Sequence, residues 1–291
     1  MTKNRLFCIL SAALALVLAT GCKGSKADDD AASGRTAVVS IEPLAGIVKA
    51  VAGPDWEVTS LIANGAEPEN FDPTVGTLQK VSNADALFFT GLLPFEADVV
   101  ERVGKQAAAT ANLSEGMSLI DGTHGHLGAD PHVWASVRNA QVMARNAARF
   151  LAEADPAGAE GYTARADSLV ELLVRADVRI DSMLRLAPAR AFIVRHPSLS
   201  YFSRDYLLEQ VAVGADNKEL SVASVKRALD EAGRARAAVF FVESPADVAR
   251  VEPLAADLGI GVEVFNPMDP DIVQQLTAVA SKISNSTLNQ R

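Results

Sequence analysis

From Tyr162 to Leu186 the chain contains neither glycine nor proline, and its apolar residues fall on a single stripe. Tyr162, Ala166, Leu169, Leu173, Ala176, Ile180 and Met183 recur at alternating steps of four and three, which is the spacing of one helical face. Glu171 with Arg175, and Asp181 with Arg185, are i,i+4 ion pairs of the kind that support a helix. A helix over about Ala159 to Leu186 would be roughly 40 Å long at about 1.5 Å per residue, and Pro188 stops it.

On either side of this rod the pattern alternates between short apolar runs and amphipathic segments. Before it, Thr36–Ser40, Trp56–Ile62, Ala86–Thr90 and Ser118–Ile120 read as strands. Helices are expected over Pro43–Val51, up to Asn83, from Phe95 to about Ala109, and over Val137–Leu151. After the rod, Ala191–Val194, Gln210–Val213, Ala237–Val242 and Val262–Phe265 read as strands. Ser198–Leu208, Val222–Ala232, Pro245–Leu258 and Asp271–Ile283 read as helices. Unbroken apolar strands alternating with helices imply parallel sheets covered on both faces. The fold class is therefore α/β: two four-stranded parallel-sheet βα lobes, residues 36–157 and 188–291, joined by one long helix over 158–187. Open sheets of this class bind ligands beyond the carboxyl ends of their strands, so a cleft is expected between the lobes.

The amino terminus reads differently. Lys3 and Arg5 precede an apolar run from Leu6 to Ala19, followed by Ala19-Thr20-Gly21-Cys22. This is the layout of a secretory signal, too short for a comfortable membrane span. Small residues ending in cysteine resemble the bacterial lipoprotein signal, which implies a signal peptide over 1–22 and a lipid on Cys22. Cys8 lies in the discarded part, so Cys22 would be the single mature cysteine and no intrachain disulfide is possible. Residues 23–35 lack apolar periodicity and read as a flexible tether. Losing Lys3 and Arg5 takes the net charge from −9 to −11, which argues against a nucleic-acid partner.

The chain has four histidines, and His124, His126 and His132 lie within nine positions of one another. Neutral imidazole is the commonest protein ligand for zinc. Glycines around His124 and His126 make that part a loop, and Asp130-Pro131 sets the approach to His132. His132 is expected just beyond the fourth strand and His196 just beyond the fifth, so both point to the cleft. The same rule selects Glu69 after the second strand. After the last strand it selects Asp269, flanked by prolines, with Asn266 nearer the strand end. Glu243 and Glu219 are weaker options. Asp271 suits a helix amino terminus.

The sequence is similar to the metal-binding proteins of zinc and manganese ABC importers, two-lobed proteins joined by a rigid helix, over about Ala37 to Ile283. Asp130-Pro131-His132-Val133-Trp134 matches a motif typical of that family. His124-Gly125-His126 resembles a shortened histidine-rich loop. His196 followed by Tyr201-Phe202, and Val264-Phe265-Asn266-Pro267-Met268, resemble the family's interlobe ligand and final acidic loop. Two positions depart from the pattern: Glu69 stands where many members have histidine, and Asn266 where many have aspartate. The resemblance implies a metal set of Glu69, His132, His196 and Asp269, with Asn266 or water as the other choices for the fourth ligand. His124 and His126 would form an auxiliary loop. The implied cargo is Zn²⁺, with Mn²⁺ as the alternative. The implied setting is extracytoplasmic or periplasmic, lipid-anchored and monomeric, with an ABC permease as partner, and a role in cell adhesion is compatible with it.

Two readings from other classes compete. A zinc hydrolase would use His132, His196 and Glu69, but there is no His-Glu-x-x-His helix, no Gly-x-Ser-x-Gly elbow and no nameable general base. A lipoprotein for an organic ligand or metal chelate would favour a cleft rich in arginine or aromatics, yet only 5% of residues are aromatic. Neither reading explains the histidines as simply as a metal-binding protein that is not an enzyme.

Overall fold

Two parallel four-stranded sheets carry the architecture. β1 (Arg35–Val39), β2 (Trp56–Ser60), β3 (Ala86–Phe89) and β4 (Thr110–Asn112) form the first, in the order β2-β1-β3-β4. β5 (Ala191–Val194), β6 (Glu209–Ala212), β7 (Val239–Val242) and β8 (Gly261–Val264) form the second, in the order β6-β5-β7-β8. Every pairing is parallel. The identical orders place a topological switch beside β1 in one lobe and beside β5 in the other, where such sheets open a crevice. The computed structural model describes residues 34–62, 67–103, 109–122, 128–214 and 222–286. Cys22 with the segments on either side of it, His124, His126 and Glu219 lie outside these residues.

The helices are α1 (Glu42–Ala52), α2 (Val75–Ser82), α3 (Pro94–Val103), α4 (Val137–Ala154), α5 (Ala159–Arg185), α6 (Ser200–Tyr206), α7 (Val222–Ala235), α8 (Pro245–Leu258) and α9 (Ile272–Ser284). Among the described residues no helix is long and apolar enough to cross a membrane. The rod expected from the sequence is α5, 27 residues long. Its buried line is Tyr162, Ala166, Val170, Leu173, Ala176, Ile180 and Leu184, while Leu169 and Met183 lie at the edge of the stripe. Both expected ion pairs form, Glu171–Arg175 at 3.6 Å and Asp181–Arg185 at 2.7 Å.

The two ends of α5 are fixed to different sheets. Near its start, the Tyr162 hydroxyl donates to Asp155 at 2.7 Å, and Asp155 pairs with Arg35 at the head of β1. At its finish, Arg190, next to β5, donates to the carbonyl of Leu184 at 2.8 Å. The helix therefore runs from the amino end of β1 in one sheet to the amino end of β5 in the other, both interior strands.

The second sheet alternates as a sheet covered on both faces must. Phe192, Val194, Val239 and Phe241 join the large core that runs through the first lobe and α5, while Ile193, Phe240 and Val242 join a smaller core under α7 and α8. The last helix contributes Leu276, Val279, Ala280 and Ile283 to the large core. So the last helix packs against the core that the first lobe shares with α5. At Gly46 of α1 an added Cβ would lie 2.1 Å from the Pro270 carbonyl oxygen.

One expected strand is misplaced. The fourth strand is Thr110–Asn112, whereas Ser118–Ile120 is irregular. Thr110–Asn112 is a three-residue edge strand with one buried side chain, so it carries almost no apolar signal. The backbone of Ser118–Ile120 bonds elsewhere: the Ser118 carbonyl accepts from Arg204 and that of Ile120 from the Asp130 N–H. His132 thus ends a long excursion after β4 instead of following a strand directly.

Candidate metal centre

Glu69 sits in a single 3-10 turn, Pro68–Asn70, beyond β2. The turn is held to its own lobe by Phe71, whose ring meets Phe95 edge-on at 5.0 Å. Proline at the first position of the turn presets its φ. His196 follows the end of β5 after Arg195, at the second sheet's switch point. His132 lies in the buried run Asp130–Ser136, which leads into α4. There the Ser136 hydroxyl caps the helix by accepting from the Asn139 N–H at 3.0 Å.

These three side chains converge. His132 Nε2 lies 2.9 Å from Glu69 Oε1 and 3.0 Å from His196 Nε2, and His196 Nε2 lies 3.6 Å from Glu69 Oε1. Tetrahedral zinc with nitrogen and oxygen donors at about 2.0–2.1 Å requires donor separations of about 3.3 Å. The observed triangle brackets that value, so the three donors fit one tetrahedral face of such an ion. Among the described residues this is the one group of three or more histidine, cysteine, aspartate or glutamate ligand atoms lying within 4.8 Å of one another.

Asp269 is not brought into the group. Its carboxylate accepts from the Asp271 N–H at 2.8 Å and the Gln275 amide at 3.3 Å, and so shapes the approach to α9. Asn266 does a similar job, its amide oxygen accepting from the Met268 N–H at 3.0 Å. Asp271 caps α9, accepting from the Gln274 N–H at 2.9 Å. Glu243 accepts from the Ser198 hydroxyl at 2.6 Å.

A carboxylate that sequence reasoning did not select completes the site. Asp130 Oδ1 accepts from the backbone N–H of His132 at 2.9 Å and lies 2.9 Å from its Nδ1. A ring that donates from Nδ1 to Asp130 turns its Nε2 lone pair toward Glu69 and His196, the tautomer a metal ligand needs. The signal was present as an aspartate two residues before a histidine, a spacing that permits an Asx turn. Only the fold shows that the same oxygen also reaches the ring.

The electrostatics follow from this bracketing. Burial acts to lower the His132 pKa, but hydrogen bonds to Asp130 and Glu69 outweigh it and raise it to about 9. For Glu69, burial acts upward, yet its bonds to the two imidazoles hold it well below the usual carboxylate range. Asp130 is likewise held low: burial opposes ionisation, and the bonds from His132 overcome it. Before any cation arrives, the site is thus a protonated imidazole clamped between two carboxylates. A divalent cation can replace that proton.

The model of the family described as "ZnuA: Zinc-uptake complex component A periplasmic" matches residues 37–283. The chain belongs to this family. It is 24% identical over 279 residues to the High-affinity zinc uptake system protein ZnuA of Bacillus subtilis (strain 168), covering 90% of this chain and 87% of that protein. It is also 24% identical over 277 residues to the Zinc-binding lipoprotein AdcA of Streptococcus pneumoniae serotype 4, spanning about half, 55%, of its length. A solved structure of a ZnuA deletion mutant with zinc bound superposes with a TM-score of 0.80 at 30% identity, over 89% of this chain and 100% of that one. The family is a substrate-binding transporter component, in keeping with a site of metal donors set between two lobes.

Proposed function

We propose that this protein captures Zn²⁺ in the cleft between its lobes and delivers it to the permease of an ABC importer. The convergence of Glu69 Oε1, His132 Nε2 and His196 Nε2 from three separate segments carries the reading. These residues are the metal ligands, and the fourth position is filled by water or by the second oxygen of Glu69. Two imidazoles and one carboxylate suit zinc, and zinc exceeds manganese in intrinsic affinity at such a set. Manganese remains the alternative cargo. Binding expels a proton from the site, because an imidazole must be neutral to ligate.

The segments outside the described residues have parts in the same reading. Residues 1–22 direct export, Cys22 carries the lipid, and the chain from 23 up to β1, which already begins at Arg35, tethers a monomeric body to the membrane. His124 and His126 gather zinc near the cleft. The lobes meet the long helix near residues 157 and 187.

The test is a titration of metal-stripped protein lacking residues 1–22 with Zn²⁺ and with Mn²⁺, beside His196→Ala. One tightly held zinc, lost in the variant, is the expected result. Tight manganese binding with weak zinc binding would transfer the site to the other metal. Tight binding of neither would overturn the reading.

A further inference from the structure

The imidazole ligands and the carboxylate ligand are held in different ways. The segment bearing His132 is fastened to the second lobe by a series of buried bonds. The Tyr201 hydroxyl donates to the Asp130 carbonyl at 2.8 Å and accepts from the Ile120 N–H at 3.3 Å. The Trp134 indole donates to the Pro267 carbonyl at 2.9 Å, and the Ser136 hydroxyl meets Asp205. Tyr206 donates to Asp177 of α5 at 2.8 Å. With α5 bonded at both ends, this fastening opposes any opening that would separate His132 from His196. Of the three ligands, the one on a short turn at the rim of the cleft is Glu69.

That turn has a charged attachment across the cleft. Arg195 Nη2 lies 3.9 Å from Glu67 Oε1, two residues before the ligand. Arg195 is itself braced. Its backbone N–H donates to the Phe241 carbonyl at 3.3 Å and its carbonyl accepts from Gly214 at 3.0 Å. Its Nε lies 3.4 Å from the buried carboxylate of Asp247, an ion pair without a hydrogen bond. A guanidinium next in sequence to a metal ligand would repel a cation unless it were neutralised, and here two carboxylates flank it. Asp247 is shared with Arg250, whose Nη1 lies 3.3 Å from its other oxygen, so Glu67 supplies the second negative charge that balances the two guanidinium groups. The reach to Glu67 joins the second lobe to the turn that carries Glu69.

We propose that Arg195 is a positioning residue for the metal site: braced on Asp247 and paired with Glu67, it keeps the Glu69 turn closed over the two imidazoles and slows metal release. This rests on the zinc reading above. Release then proceeds by withdrawal of Glu69, with His132 and His196 left in place.

The test follows zinc leaving the loaded protein into excess EDTA by stopped flow, for the wild type, Glu67→Gln, Arg195→Ala and the double variant, at low and high salt. Glu67 is largely exposed, so Glu67→Gln keeps the experiment decisive even if Arg195→Ala, which leaves the buried Asp247 with Arg250 alone as its cation, fails to fold. Each single variant should release zinc about two- to fivefold faster, the range an exposed ion pair supports. The double variant should be no faster than the singles, as expected for one shared interaction. Salt should speed release more from the wild type than from the variants, because only the wild type has this pair to screen. Release from Glu67→Gln at the wild-type rate, or equal salt dependence in all proteins, would overturn the proposal alone. A wild type that retains no zinc would overturn the zinc reading and this proposal together.

Discussion

Asp130 grips His132 twice with one oxygen, once at the backbone N–H and once at Nδ1, both at 2.9 Å. The first bond sets the turn and the second sets the ring. Both partners are almost fully buried, Asp130 at 1% exposure and His132 at 2%. Asp130→Ala should therefore weaken zinc binding by about 10- to 100-fold, the usual cost of losing a partner behind a histidine ligand. Competition with a chelator of known affinity measures this. An unchanged affinity would show that the ring needs no such support.

The pH dependence has a definite sign. In the metal-free protein His132 keeps its proton up to about pH 9. Zinc must displace that proton, so its apparent affinity should rise with pH, about tenfold per unit, and level off above about 9. A free imidazole would place that window near 6.5. Calorimetry at pH 7.5 in buffers of different ionisation enthalpy should find about one proton released per zinc bound.

The same shift bears on the stability of the metal-free protein. The folded-state pKa of His132 lies above its unfolded value, so the stabilisation is complete below about pH 6.5 and is lost as pH rises through about 9. Melting temperatures of stripped protein should fall from pH 6.5 to 9.5, and zinc-loaded protein should not show that fall.

Glu69 and Asp269 should behave differently. Glu69→Ala removes an atom 2.9 Å from His132 Nε2 and should cost more than the about 10- to 100-fold of a supporting residue. Asp269→Ala removes acceptors for Asp271 and Gln275, costing about 0.5–1.5 kcal/mol of stability per bond with little effect on zinc. Isothermal titration with thermal melts separates the two. A large loss of zinc affinity in Asp269→Ala would place that carboxylate on the metal.

Gly46→Ala tests the packing of α1 against the loop that precedes α9. In an exposed helix interior alanine is favoured over glycine by about 1 kcal/mol. Here the new methyl would meet the Pro270 carbonyl oxygen at 2.1 Å, and backbone cannot rotate away. The substitution should destabilise the protein by about 1–3 kcal/mol, read as a lower denaturant midpoint at unchanged slope.

Much of this protein is determined by local sequence. The α5 rod follows from a stripe with no interruption, and the buried strands Ala86–Phe89, Ala191–Val194 and Val239–Val242 from apolar runs, because periodicity and burial are properties of consecutive residues. Repeating the pattern on both sides of the rod implies two lobes and a cleft. From that, His196 and Glu69 follow as residues beyond strand ends, and His132 from its place in the histidine cluster; the chain brings these three together. Only the tertiary structure decided the rest. The edge strand Thr110–Asn112 exists through pairing with β3, which no apolar run announces. Asp269, also beyond a strand end, is turned into the cap of its own loop. Asp130, Tyr201 and Arg195 acquire their roles from contacts across the chain: Tyr201 meets Asp130 over 71 positions and Arg195 pairs with Glu67 across the cleft. Side-chain direction and long-range hydrogen bonding have no period to read, so residue type and spacing bring candidate donors to the cleft, and packing alone selects which of them meet.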